Sequence, residues 1–364
     1  MSGQELHFFP DWRSYNPFQG LLFADLPRIG ATPVPVGGLI RHLRTAAETD
    51  SPGVLNVQWT TPVLRHVPDA DRAGRRVARV ARALSGYREA GGRLVWTVHN
   101  VLPHEAEYHR AEVELAQVLA DHADVVHVLT ERTAAEAAPY YRIDPARTVC
   151  IPHCSYVGVY PDVVGRDEAR RSLGLGDDDR ALLALGRIRP YKGLDRLLDV
   201  AERLTADDPR VRLLVAGTLG EQPGSQALAA RLASDPGTVS VTRRVRDDEL
   251  QVWMRAADLA VLPYLRVLNS GAFLLAETFG LPVVAPRVGA LVERDGEPHV
   301  RLFGDDDFEE VLRAAVRDLV VDPEGAAAAR SAAEAAAAAR PPAAMATAFA
   351  DLVAGMLAGP FTDP

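Results

Sequence analysis

Short apolar runs alternate with segments of helical length along this chain, and the alternation starts afresh near its middle. Strands of a parallel sheet are buried on both faces, so they read as brief unbroken apolar runs separated by crossover helices. In the first half these runs are Leu6-His7-Phe8-Phe9, Val54-Leu55-Asn56-Val57, Leu94 to Val98 and Val125 to Leu129, closed by Thr148 to Pro152. Gly158 to Asp167 carries proline, glycine and charge without an apolar period and reads as a linker. The second half repeats the grammar with Ala181 to Leu185, Val211 to Ala216, Val239 to Val241, Leu259 to Leu262 and Pro282 to Ala285. Helices are predicted over 194–204, 226–234, 247–256 and 271–279. A chain of 364 residues exceeds what one ordinary core serves. The expectation is α/β: two Rossmann-like doubly wound domains, 1–163 and 164–340, facing a central cleft. Residues 325–339 are rich in alanine, the best helix former, and Arg340-Pro341-Pro342 interrupts them. A last segment, 341–364, carries Met345, Phe349, Leu352, Val353 and Met356, a pattern that predicts a helix packing back on the first domain.

Charge and cysteine content narrow the function. The net charge of -9 argues against a nucleic-acid partner. Arg72, Arg75, Arg76, Arg79, Arg82 and Arg88 fall on one helix face, read as a solvated face in preference to a membrane-surface contact. Cys150 and Cys154 flank Ile151-Pro152-His153, too few ligands for a zinc site, and free thiols are expected. There is no apolar stretch of membrane-spanning length, and Met1-Ser2-Gly3-Gln4-Glu5 does not read as a signal peptide. A cytoplasmic protein is the expectation.

Of the 40 basic residues, Lys192 alone is lysine. Where arginine serves everywhere else, a surviving lysine marks a place that needs a compact charge on a flexible stem. It stands in Gly186-Arg187-Ile188-Arg189-Pro190-Tyr191-Lys192-Gly193, directly after an apolar strand, where parallel sheets bind ligands. A second such place is Leu262 to Ala285. Here a strand ends at Pro263 and a helix starts near Asn269-Ser270-Gly271-Ala272, with capping residues and free N–H groups suited to a diphosphate. Glu277 lies two turns into that apolar helix. A buried acid needs partners, either a ligand's hydroxyls or Arg187.

These two segments resemble the GT-B glycosyltransferases of the large family 4 type, in which a strand-Gly-Arg…Lys-Gly loop and a Glu-x7-Glu element bind a nucleotide sugar. The resemblance implies that Arg187 and Lys192 hold the diphosphate and that Glu277 binds the ribose. It places Gly186 and the strand-ending Gly217 beside the donor, and Val245 at the base. It also gives Asn269, Ser270, Gly271 and Ala272 to the donor site. Asn269 stands where the family has the first acid of Glu-x7-Glu, which leaves the donor sugar open.

By the same resemblance the loop after Leu94 to Val98 brings His99 to the donor sugar, so His99, Arg187 and Lys192 are the catalytic candidates. His104 and Glu105 face the acceptor or open a helix, and His153 lies in an interdomain loop. The segment Asp11 to Gly20 is aromatic and amide-bearing rather than glycine-rich. Trp12, Tyr15, Asn16 and Gln19 are therefore acceptor-side candidates.

The implied reaction moves a sugar from a UDP- or GDP-sugar to a hydroxyl of a small molecule or saccharide, in natural-product or glycan biosynthesis. The resemblance implies retention of configuration. No cofactor is expected beyond the nucleotide-diphosphate sugar as co-substrate. No metal is assigned to the site, since protein cations would replace Mg²⁺. An epimerase of GT-B shape and a non-catalytic sugar-nucleotide-binding subunit stay open as alternatives. The chain has neither a Walker A motif nor a Gly-x-Gly-x-x-Gly fingerprint.

Overall fold

Twelve strands, all in parallel ladders, form two sheets in a computed structural model that describes residues 4–220 and 224–358. Residues 1–3 of the polar start and 359–364 of the last segment lie outside the described residues. In the first half the strands are β1 Gln4–Phe9, β2 Ala31–Pro35, β3 Val54–Val57, β4 Arg93–Val98, β5 Val125–Val128 and β6 Thr148–Cys150. In the second they are β7 Arg180–Leu185, β8 Val211–Ala216, β9 Thr238–Val241, β10 Leu259–Val261, β11 Val283–Pro286 and β12 Val300–Phe303. The sheet orders are β2-β1-β3-β4-β5-β6 and β12-β11-β10-β7-β8-β9.

Two strands escaped the sequence reading, and both lie at sheet edges. β2, Ala-Thr-Pro-Val-Pro, holds two prolines, which an edge tolerates because one side of the strand makes no ladder. β12 alternates an exposed-side Arg301 with buried Val300 and Leu302, so no apolar run announces it.

The strand orders say where ligands belong. In an open α/β sheet the order reverses at a switch point, and the loops at the carboxyl ends of the two strands there part to leave a crevice. In the first sheet that point lies between β1 and β3, and in the second between β10 and β7.

The chain divides into two compact units, Met1–His153 with Pro342–Pro364, and Cys154–Pro341. The division falls at 153/154 rather than at 163/164, because hydrogen bonds tie the intervening segment to the second unit. Ser155 donates from its N–H and its Oγ to the Arg340 carbonyl at 2.8 and 3.0 Å. Tyr156 N–H donates to Thr278 Oγ1, and the N–H groups of Val163 and Val164 share Gln251 Oε1. The alanine-rich helix Pro323–Ala338 belongs to the second unit and the last helix, Pro342–Leu357, to the first. Phe349 is fully buried there, its ring 5.8 Å from Phe23 and 5.6 Å from His127. Arg93 Nη1 donates to the Met356 carbonyl at 2.9 Å, and Thr347 Oγ1 to Asp25 at 2.9 Å.

Candidate functional site

The switch point of the second sheet is a crevice walled by the ends of β7 and β10. Gly186, Arg187, Ile188 and Lys192 come from one side, Leu262, Pro263 and Tyr264 from the other. Both loops are shaped by glycines at contact distance. A Cβ on Gly217 would lie 1.9 Å from the Gly186 carbonyl oxygen, and one on Gly193, whose φ is 64°, would lie 2.0 Å from the Pro263 carbonyl oxygen. Neither approach is open to any other residue. Lys192 Nζ sits 5.1 Å from the Tyr264 ring centroid. Burial pulls its ammonium down, yet Tyr264 and Tyr191 outweigh burial and raise its pKa, so it is a charged lysine at neutral pH. Arg187 is exposed at the crevice mouth. Among the described residues no carboxylate lines this crevice.

One arginine that the sequence reading passed over holds the loop in place. Arg196 Nε and Nη2 donate to the carbonyls of Pro263 and Tyr264, each at 3.1 Å. Its guanidinium lies 4.7 and 4.9 Å from the rings of Phe303 and Phe308. Leu265 N–H adds a bond to the Tyr191 carbonyl at 2.7 Å. Farther along the same loop the helix Gly271–Thr278 begins with Ser270 as its cap, Oγ accepting from Phe273 N–H at 3.2 Å. The first-turn N–H groups, Gly271 and Ala272 among them, have no intrahelical acceptor by geometry. A Cβ at Gly271 would come within 2.8 Å of the Tyr156 hydroxyl oxygen, so a glycine is needed there as well. Asn269 is half-buried before the cap, and Val245 half-buried in the loop after β9.

Glu277 is corrected. Neither Arg187 nor an open face meets it: the side chain is fully buried and both oxygens go to protein cations. Arg294 donates to both oxygens, Arg340 Nη1 to Oε2 at 3.4 Å, and His299 Nε2 lies 2.8 Å from Oε1. Glu297 shares Arg294 and approaches His299 at 3.4 Å. With no exposed surface, the carboxylate is spent on holding the helix Gly271–Thr278 against Arg294 and Arg340. Arg294 and His299 carried no sequence signal, because their pairing spans a strand and two turns.

In the first unit the loops after β1, β3 and β4 meet around His99. Its imidazole stacks on Trp59 with centroids 3.8 Å apart and planes 12° from parallel, and Phe18 meets it edge-on at 4.8 Å. His99 Nε2 lies 3.1 Å from Gln58 Oε1, an acceptor, so the Nε2 carries the proton. Behind it runs a chain of side chains. Gln58 Nε2 donates to Asn56 Oδ1 at 2.9 Å, Asn56 Nδ2 to Thr97 Oγ1 at 2.9 Å, and Thr97 Oγ1 lies 3.1 Å from His127 Nδ1. His127 Nε2 ends the chain on the Ile151 carbonyl at 3.2 Å. Burial, then the neighbouring His127 and His153, keep the pKa of His99 well below its usual range, and burial brings His127 to about 4. His99 is thus a neutral imidazole in a set tautomer, with Nδ1 as an acceptor. Asn56, a polar residue inside an apolar strand, was the sequence signal for this chain. Glu112, six per cent exposed in the cavity beside His99, is a carboxyl pushed up to about 7 by burial, and its Oε2 has no hydrogen-bond partner among the described residues.

The acceptor-side candidates separate. Trp12 packs on Trp59 with centroids 4.8 Å apart, and His153 lies 4.9 Å from Phe18, so both join the aromatic group around His99. Gln19 is corrected to an internal brace: fully buried, it accepts from Trp12 N–H at 2.8 Å and donates to the Pro10 carbonyl at 2.7 Å. Asn16 Oδ1 accepts from Phe18 N–H at 3.0 Å and opens the helix Phe18–Leu22. Tyr15 is 77% exposed. His104 is half-buried and Glu105 exposed, and neither opens a helix, since the next one begins at His109.

A metal has one candidate grouping among the described residues, Glu277, Glu297 and His299. The guanidinium of Arg294 already bridges both carboxylates, so the charge a cation would neutralise is met. Asp-x-Asp spacings do occur, at Asp69-Ala70-Asp71, Asp177-Asp178-Asp179 and Asp305-Asp306-Asp307. Asp69, Asp179 and Asp307 each cap a backbone N–H, of Arg72, Gly176 and Gly304, and none lines the Lys192 crevice.

Residues 179–322, which include all six strands of the second sheet, match the model of the family described as glycosyl transferases group 1. Over this stretch the chain is similar to the group 1 glycosyl transferases. It is 36% identical over 215 residues to a D-inositol 3-phosphate glycosyltransferase of Geodermatophilus obscurus, covering 55% of this chain and 47% of that one. To the GDP-mannose:glycolipid 4-beta-D-mannosyltransferase of Xanthomonas campestris pv. campestris it is 29% identical over 280 residues, 75% of this chain and 73% of that one. The matches span about half the length of the first of these curated relatives. The solved structure of Anabaena Alr3699/HepE in complex with UDP and glucose superposes with a TM-score of 0.74 at 16% identity, over 97% of this chain and 100% of that one. The fold is GT-B. No helix of the described residues is long and apolar enough to cross a membrane.

Proposed function

We propose that the protein is a glycosyltransferase whose second unit binds a nucleoside-diphosphate sugar and which passes the sugar to an acceptor hydroxyl. The observation that carries this is the crevice at the β7/β10 switch point. Its glycines bring backbone to contact distance, its lysine is charged and held beside Tyr264, its mouth carries Arg187, and among the described residues no acid in the lining opposes an anion. The family match covers the same strands, and the relatives' names include a GDP-mannose-dependent enzyme and an inositol phosphate glycosyltransferase.

In the transfer, the bond between the anomeric carbon and the β-phosphate oxygen breaks and one to the acceptor oxygen forms. The acceptor proton leaves with the phosphate or to a protein base. Lys192 and Arg187 meet the charge that grows on the leaving diphosphate, where fixed cations in a crevice act most strongly. The N–H groups of Gly271 and Ala272 face the same task. Neutral His99, with Nδ1 as acceptor, takes a hydrogen bond from a sugar hydroxyl. Glu277 acts through the helix it anchors and not on the donor. By resemblance the reaction retains anomeric configuration, and it proceeds without a metal in the protein's interior.

A thermal-shift panel of UDP-, GDP-, ADP- and dTDP-sugars tests the reading, since selective binding raises apparent stability. The proposal expects at least one of them to raise the midpoint. Turnover of the bound sugar nucleotide to an epimer without acceptor would replace transfer by epimerisation.

A further inference from the structure

A cavity of about 620 Å³ opens in the first unit beside the ends of β1 and β2, away from the His99 group. Phe9 and Val63 line its apolar part, and four guanidinium groups reach it from two helices. Arg41 and Arg44 are three apart on the helix Leu39–Ala46, and Arg76 and Arg79 are three apart on the helix Ala70–Glu89. Residues at that spacing share a helix face, and the two helices pack on one another. Each pair is thereby aimed at the same space.

These four arginines meet the cavity without counter-ions among the described residues. On the longer helix Arg72 pairs with Asp69 and Arg88 with Asp124. Among the described residues Arg41, Arg44, Arg76 and Arg79 form no ion pair, and Arg76 Nη1 donates to the Val63 carbonyl at 3.3 Å. Glu48 is the one carboxylate in the lining. Four like charges against one acid repel one another, in a protein whose net charge is -9. An anion relieves that repulsion. Guanidinium forks match phosphate oxygens in pairs, whereas a single carboxylate would occupy one fork and leave the rest. Gly37 and Gly38 stand at the cavity rim, where the helix Leu39–Ala46 starts without a capping side chain. The volume lies within the range of about 300–1,000 Å³ that small-molecule sites occupy.

We propose that this cavity binds a phosphate ester, its phosphate held by Arg41, Arg44, Arg76 and Arg79 and its organic part resting on Phe9 and Val63. As a binding site this stands without the second unit. As the anchor of a phosphorylated acceptor it rests on the glycosyltransferase reading. The ester's source is a soluble sugar or polyol phosphate or the headgroup of a phospholipid.

The test is calorimetric titration of the full chain with glycerol 3-phosphate, alongside flotation with vesicles of phosphatidylcholine carrying phosphatidic acid. The variants are Arg44→Gln/Arg79→Gln, two exposed helix positions, and Lys192→Ala as a control for phosphate bound in the second unit. The expected result is saturable binding of glycerol 3-phosphate that survives Lys192→Ala and weakens by about tenfold or more in the double variant. Nucleoside diphosphate affinity stays unchanged in the double variant, which separates this site from failure of the transferase reading. Vesicle binding lost in the double variant and competed by glycerol 3-phosphate would assign the ester to a lipid headgroup in the same cavity. Three results would each overturn the proposal: no binding by the wild type, binding unaffected by the double variant, or vesicle binding that glycerol 3-phosphate does not compete.

Discussion

The imidazole of His99 lies flat against the indole of Trp59, 3.8 Å between centroids, while its Nε2 is committed to Gln58. The ring therefore has one orientation and one tautomer, set by the loop after β3 rather than by its own. Replacement of His99 by alanine removes an acceptor without touching any residue of the Lys192 crevice. The account predicts loss of transfer by about 10²-fold, the scale of a misplaced reactant, with nucleoside diphosphate affinity unchanged. Initial rates and calorimetry on the same folded preparation decide it. Equal losses in both would put His99 at the nucleotide.

Glu277→Ala is predicted to destabilise the second unit by about 3–5 kcal/mol, the cost of removing one partner from a buried ion pair. Arg294 and Arg340 would be left without their shared carboxylate. Urea unfolding measures the loss. A variant as stable as the wild type but with weakened nucleotide binding would return Glu277 to the ribose.

Acid is predicted to destabilise the first unit through its buried histidines. Burial lowers His127 to about 4 from a normal 6.5. Below pH 6.5 the unfolded chain takes up a proton that the folded chain refuses, so stability falls as pH drops from about 6.5 towards about 4. His127 contributes up to about 3 kcal/mol of that fall. In His127→Gln the slope of unfolding free energy against pH over this window should flatten, the remainder belonging to His42, which burial also brings to about 4, and to His99 and His7, which burial also lowers. An unchanged slope would mean that His127 titrates normally.

Activity is predicted to persist in excess EDTA. Among the described residues the lining of the Lys192 crevice holds no carboxylate to carry a cation to the diphosphate, and Arg294 already neutralises the acidic group around Glu277. Assays with and without EDTA, followed by Mg²⁺ or Mn²⁺, check this. Loss of activity restored by either ion would contradict it.

Most of the fold was legible because buried parallel strands leave their mark in consecutive residues, as in Ala181 to Leu185 or Val211 to Ala216. β2 and β12 left no such mark, since edge strands admit proline and arginine. The placement of Gly186, Lys192, Ser270 and Gly271 at strand ends and a helix start was legible for a related reason: a tight strand-to-helix loop needs glycine and a cap close together in sequence. Glu277 and Arg196 were misread or missed because their partners are remote. Arg294 and Arg340 reach Glu277 from 17 and 63 residues away, and Arg196 reaches Pro263 across 67. A lone acid on an apolar helix announces that it needs partners, not which ones. The Gln58-to-His127 chain spans three strands and shows itself only as isolated polar residues in apolar runs.

The central claim is that Lys192 and Arg187 receive the diphosphate of a sugar nucleotide, and it is tested most directly by single-turnover transfer in Lys192→Ala and Arg187→Ala. For a nucleotide sugar that the wild type turns over, the account predicts that each variant folds normally and loses about 10²-fold or more in the transfer rate. Near-wild-type transfer by both folded variants would contradict it.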